Sequence, residues 1–263
     1  MRQRRSGAVR TAVAAALLGL VAVARPVLAE PFIPETDDTV LERLMPPSDP
    51  ALQELRALAA AQRAEPDALA LAIAYARRAV EFARRNGDPR YAGYAEAALR
   101  PWLSRADVPP AAAFMDAVLR QYRHDFSGAL ATLDALLAAN PGDAETRLVR
   151  ATVRQVTGDI AGAAEDCEEL VRRADYIVVA TCRSAAQEAA GQSRLAAKTL
   201  EIALALPAPP GLRLWALTLA AEQAARRGDP VKGRGALSRG AGDRRQRSGS
   251  GLVLCRFPAR CRP

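Results

Sequence analysis

Histidine is almost missing from this chain: His124 is the only one in 263 residues. Cysteine occurs four times, and aromatic residues make up 5% of the sequence. One imidazole leaves little room for a general base or a histidine-rich metal site. The four cysteines are scattered, without the paired spacing of a zinc knuckle, and no glycine-rich loop is present to cradle a phosphate. Most enzyme classes are disfavoured on these grounds, and no cofactor or metal is expected. The scarcity of aromatic and β-branched residues argues against a sheet-centred fold. What is plentiful is Ala, Leu and Arg, all strong helix formers. The length allows one or two domains with a sizeable core.

The net charge of +8 is unevenly placed. Residues 1–29 hold five arginines and no acid, and residues 228–263 hold nine Lys or Arg against Asp229 and Asp243. With +5 and +7 removed from the total, residues 30–227 carry −4. A mildly acidic centre has no electrostatic footprint for nucleic acid, so none is expected as a partner.

Residues 1–29 read as a secretory signal peptide. Met1–Arg10 is basic, Thr11–Ala24 is a short apolar run, Pro26 breaks it, and Val27-Leu28-Ala29 sets small residues at a cleavage site before Glu30. The run is shorter than the roughly 20 residues of a membrane-spanning helix. The chain is therefore expected in the periplasm, exported by the general route. Residues 30–50 contain five prolines and read as an extended arm.

From Ala51 onward the apolar spacing predicts helices over Ala51–Gln62, Asp67–Arg85, Ala111–Arg123, Ala144–Val156 and Leu212–Arg227. Asp67 and Asp143 read as helix-start residues. No run alternates as a strand would. One element recurs after these helical runs, as Gly87-Asp88, His124-Asp125, Gly158-Asp159, Gly191-Gln192 and Gly228-Asp229. The steps are 37, 34, 33 and 37 residues. A left-handed helix end explains the preference for Gly there. Small residues are phased to these turns, with Ala117/Ala129, Ala151/Ala163 and Ser184/Ala196 on the two arms.

These phased pairs, the turn residues and the stretch His124–Ala129 running to Asn140-Pro141-Gly142-Asp143 resemble the tetratricopeptide repeat family, of the exported bacterial type. The resemblance covers about 87–230 well and 51–86 loosely. It departs from the family where the early aromatic of each first helix is replaced by Ala113, Arg147 and Ala180. The resemblance implies an all-α solenoid over 51–230, with a concave face lined by the first helix of each pair. Its groove positions would be Phe114, Val118, Gln121, Tyr122, Leu148, Thr152, Gln155, Thr181, Ala185, Glu188, Thr218 and Glu222. Phe114 and Tyr122 are equally readable as core. The Lys, Arg and Asn that clamp a terminal carboxylate in some members are absent from these positions. The expected partner is a segment of another exported or membrane protein, with no small-molecule substrate. Two roles remain: a scaffold or adaptor, and an assembly factor that self-associates or supports a membrane complex.

Asp166, Glu168 and Glu169 read as a solvated acidic face. Arg77-Arg78, Arg84-Arg85, Arg172-Arg173 and Arg226-Arg227 read as basic pairs near helix ends, complementing the dipole. Cys167 falls on the second helix of one repeat and Cys182 on the first helix of the next. Each lies seven to eight residues from a turn near Ala174-Asp175, or about 11 Å along its helix, so the two sit at equal height. In an oxidising compartment they are expected to form a disulfide. Residues 231–263, with six Gly and eight Arg, lose the repeat in its middle. They are expected to be disordered, in the manner of a frameshifted end or of a basic tail touching anionic lipid.

Overall fold

The computed structural model describes residues 49–229, together with Pro34, Thr36 and Thr39. The expected signal peptide, nearly all of the proline-rich arm and the tail beyond Asp229 lie outside the described residues.

Ten α-helices follow one another, with no strand among the described residues. They are α1 (Pro50–Ala64), α2 (Leu69–Asn86), α3 (Arg90–Leu103), α4 (Pro110–Tyr122) and α5 (Phe126–Ala139). Then come α6 (Ala144–Thr157), α7 (Ile160–Glu169), α8 (Tyr176–Ala189), α9 (Ser193–Leu204) and α10 (Pro210–Arg226). After α1 they form antiparallel pairs: α2 with α3, α4 with α5, α6 with α7, and α8 with α9. Each second helix also packs on the first helix of the next pair. The first helices α2, α4, α6, α8 and α10 touch in succession, which makes a solenoid.

The pairs turn where the sequence places them. Gly87, His124, Gly158, Gly191 and Gly228 all have positive φ, between 65° and 89°. Glycine relieves the Cβ clash of this conformation, and His124 adopts it without that relief. Aspartates start the next arms. Asp125 accepts the N–H of Gly128, and Asp159 that of Gly162. Asp143 accepts from Glu145 and Thr146 at the head of α6. Asp67 is no such cap: it is exposed and α2 begins two residues later, because Ala68 holds the cap position without a side-chain bond.

The phased small residues lie in the packed interior. Ala117, Ala129, Ala151, Ala163, Ser184 and Ala196 are fully buried. One apolar cluster runs from Leu52 on α1 to Val149 and Val153 on α6. A second begins with Leu148 and Ala151 on α6 and reaches Ala216 on α10. Helix α6 thus serves both, and Ile177-Val178-Val179 is buried helix in the second.

Candidate face of first helices

The expected groove residues divide by burial. Phe114, Val118, Leu148 and Thr181 are buried, so they are core and not groove. Successive first helices lie so close that positions left open on one helix are covered by the next. Gln121, Tyr122, Gln155, Ala185, Glu188 and Thr218 are half-buried, while Thr152 and Glu222 are exposed. Val156, beside Gln155 at the end of α6, is exposed as well.

Ion pairs bracket this face. Arg77 on α2 crosses α4 to Glu145 on α6, with its guanidinium 5.3 Å from the centroid of the Phe114 ring. Arg84 lies 6.0 Å from the Tyr122 ring centroid. Farther along, Arg226 of α10 pairs with Glu188 of α8 at 3.5 Å. Between the two pairs α6 presents Thr152, Gln155 and Val156, three uncharged side chains, while the intervening Arg154 turns to Asp166 and Asp159. The Thr152 hydroxyl donates to the Leu148 carbonyl and keeps acceptor capacity toward solvent.

Arg77 and Arg78 lie in mid-helix rather than near a helix end, and their charge is taken up by carboxylates. Arg78 bonds Glu54 and Glu81, joining α1 to α2. Arg84 and Arg226, by contrast, do lie in last turns. Asp166 is not on a solvated face. It is buried, and three guanidiniums of α6 converge on it: Arg147 at 3.3 Å, Arg150 at 2.6 Å and Arg154 at 3.0 Å. Bonding to Asp166 holds the Arg150 guanidinium more firmly protonated than usual. Arg147 stands where an aromatic was expected to be lost, and it fills that place with a charge paired to the next helix. The signal was present in the sequence as three arginines at 147, 150 and 154, on one face of a helix. Glu168 and Glu169 are exposed as expected, paired to Arg183 and Arg173. These pairs line a shallow depression beside Val171 and Arg172, and they use up much of its charge on each other.

Sequence reasoning also missed a buried polar relay at the last turn. Gln223 of α10 donates to the Ser184 hydroxyl at 2.9 Å, and that hydroxyl donates to the Ala196 carbonyl at 2.8 Å. Ser184 therefore serves its small position with a hydrogen bond as well as with size.

Cys167 and Cys182 form the expected disulfide, with Cα atoms 5.5 Å apart. It ties α7 to α8 across the Leu170–Asp175 connection, and both cysteines are buried. Among the described residues no group of His, Cys, Asp or Glu is arranged to hold a metal ion, and no helix is long and apolar enough to cross a membrane.

No family model and no curated protein matches the chain. Solved structures do. MamA (41-end) from Desulfovibrio magneticus RS-1 is 14% identical, covering 68% of this chain and 98% of its own, with a TM-score of 0.44. BtubC from P. vanneervenii is 15% identical over 81% of this chain and 94% of its own, with a TM-score of 0.44. A tetratricopeptide repeat protein from Parabacteroides merdae ATCC 43184 is 15% identical over 73% and 86%, with a TM-score of 0.41. Likenesses at this level bear on neither partner nor compartment.

Proposed function

We propose that this protein is a non-catalytic binding scaffold of the bacterial cell envelope, exported to the periplasm. One observation carries the reading. The first helices form a continuous row, and its middle helix exposes Thr152 and Val156 with Gln155 half-buried beside them, three uncharged side chains between the Arg77–Glu145 and Arg226–Glu188 pairs. Such a surface suits an extended or helical segment of another protein, docked through apolar contact and amide or hydroxyl hydrogen bonds. It offers no cationic clamp for a terminal carboxylate.

The test is capture from the native envelope by crosslinking. Thr152→Arg with Val156→Asp alters two exposed side chains, so the melting temperature should hold. Loss of the captured partner supports the scaffold; capture equal to that of the parent chain removes it. Export is tested apart. N-terminal sequencing should begin at Glu30, and non-reducing peptide mapping should find the 167–182 crosslink. An intact Met1 with both thiols free would place the chain in a reducing compartment instead.

A further inference from the structure

Helix α9 shows Arg194, Lys198 and Glu201 to solvent, and beside them it also exposes large apolar side chains. Leu195 and Ile202 are 51% and 57% exposed, seven residues apart and hence on one line of the helix. Leu206, 49% exposed, continues the line just past the helix end. Tyr176 extends it laterally, since its hydroxyl donates to the carbonyl of Pro207, next to Leu206. Large apolar side chains exposed along one line, here with Lys198 and Thr199 between Leu195 and Ile202, mark an interaction site more often than an accident of composition.

The flank of the ridge names the occupant. Lys198 and Glu201 lie on the same side of the apolar line, one turn apart, both well exposed and paired to each other at 3.3 Å. When two identical helices pack antiparallel, each flank meets its own copy in reverse order. Leu195 of one copy then lies opposite Ile202 of the other, and Lys198 of each comes near Glu201 of the other. The pattern is complementary to itself, with two apolar pairs in the centre and two opposite-charge pairs beside them. A generic partner would need to supply that order; a second copy already has it. We infer that α9 is a two-fold self-association surface, joining two solenoids by their outer arms and leaving the row of first helices free. The apolar ridge is narrow beside the roughly 800 Å² per partner of a stable interface, so the dimer is a weak one, formed at high local concentration.

Sedimentation of the full chain over a range of concentration should show reversible dimer formation. Leu195→Glu with Ile202→Glu should abolish it, with helicity and melting temperature kept because both side chains are exposed. Lys198→Glu or Glu201→Lys alone creates two like-charge pairs by symmetry and should weaken association about tenfold. The exchanged variant carrying both changes should recover it. A chain monomeric at every concentration, or a dimer indifferent to Leu195→Glu/Ile202→Glu, overturns the inference. A dimer lost in that variant but not recovered on charge exchange overturns the antiparallel arrangement. None of these outcomes depends on the scaffold reading, which is read by partner capture.

Discussion

Arg77 and Glu145 are 68 residues apart and meet in a two-pronged ion pair, with Nη1–Oε1 at 2.5 Å and Nη2–Oε2 at 3.0 Å. They join α2 to α6 over the Phe114 ring of the helix between them. The pair spans three consecutive first helices, so it sets their spacing as well as closing one end of their face. Arg77 is 42% exposed, which tempers the electrostatic gain. Arg77→Ala is expected to cost about 1 kcal/mol, from the weakened pair and the uncovered ring. Urea denaturation of the variant checks this, and a midpoint equal to that of the parent would show the pair to be ornamental.

Asp166 is the opposite case, because it is buried together with Arg147, and Arg150 and Arg154 are half-buried around it. Asp166→Asn removes the one carboxylate that serves Arg147, Arg150 and Arg154 together. Breaking such a buried group by one partner is expected to cost about 3 kcal/mol or more. Glu169→Ala, which removes an exposed pair with Arg173, should change stability by less than about 0.5 kcal/mol. Comparing the two denaturation midpoints separates buried from surface charge in a single experiment.

The turn residues supply a pair of opposite signs. His124 has φ 65° and bears a Cβ, so His124→Gly is expected to stabilise by up to about 1 kcal/mol, less what the edge-on contact with Phe126 contributes. Gly158 has φ 89°, and a Cβ there would touch nothing within 4 Å. Gly158→Ala should therefore destabilise by about 1 kcal/mol through the backbone alone. Thermal melts of both variants report the signs directly.

Acid should unfold the protein partly through Asp125. The backbone N–H of Gly128, and then Arg120, hold its carboxyl below the usual aspartate range. A depressed folded-state value means the stabilisation is present above the unfolded value near 4 and is lost as pH falls through the folded one. Asp125→Ser keeps a capping oxygen but does not titrate. Its melting temperature should fall less steeply than that of the parent chain below about pH 4. Parallel acid limbs for the two proteins would assign acid unfolding to other carboxylates.

Local rules made much of the fold legible in advance. The five reversals at Gly87, His124, Gly158, Gly191 and Gly228 depend on backbone conformation over a few residues, and such preferences are written in neighbouring side chains. Ala151 and Ala163 could be paired because the repeat period carries them to one contact. Equal height along neighbouring helices and an expected oxidising compartment made Cys167 and Cys182 candidate partners, and the packing of α7 on α8 turned both inward to close the bridge.

Tertiary structure alone decided which faces close. Phe114, Val118, Leu148 and Thr181 are buried because adjacent first helices approach within side-chain reach, and that spacing is a property of the stack rather than of any one helix. Asp166 reads as one more acid on a polar helix until α6 swings three arginines onto it, since its burial depends on a partner element and not on its neighbours in the chain. The same holds for Arg77 and Glu145, whose attraction extends over a few ångströms and needs α4 between their helices to bring them together. Periodicity and turn chemistry are local and determine the helices and their order. Coulombic pairing and steric cover act through space, so the character of the exposed face emerges only when the helices are stacked.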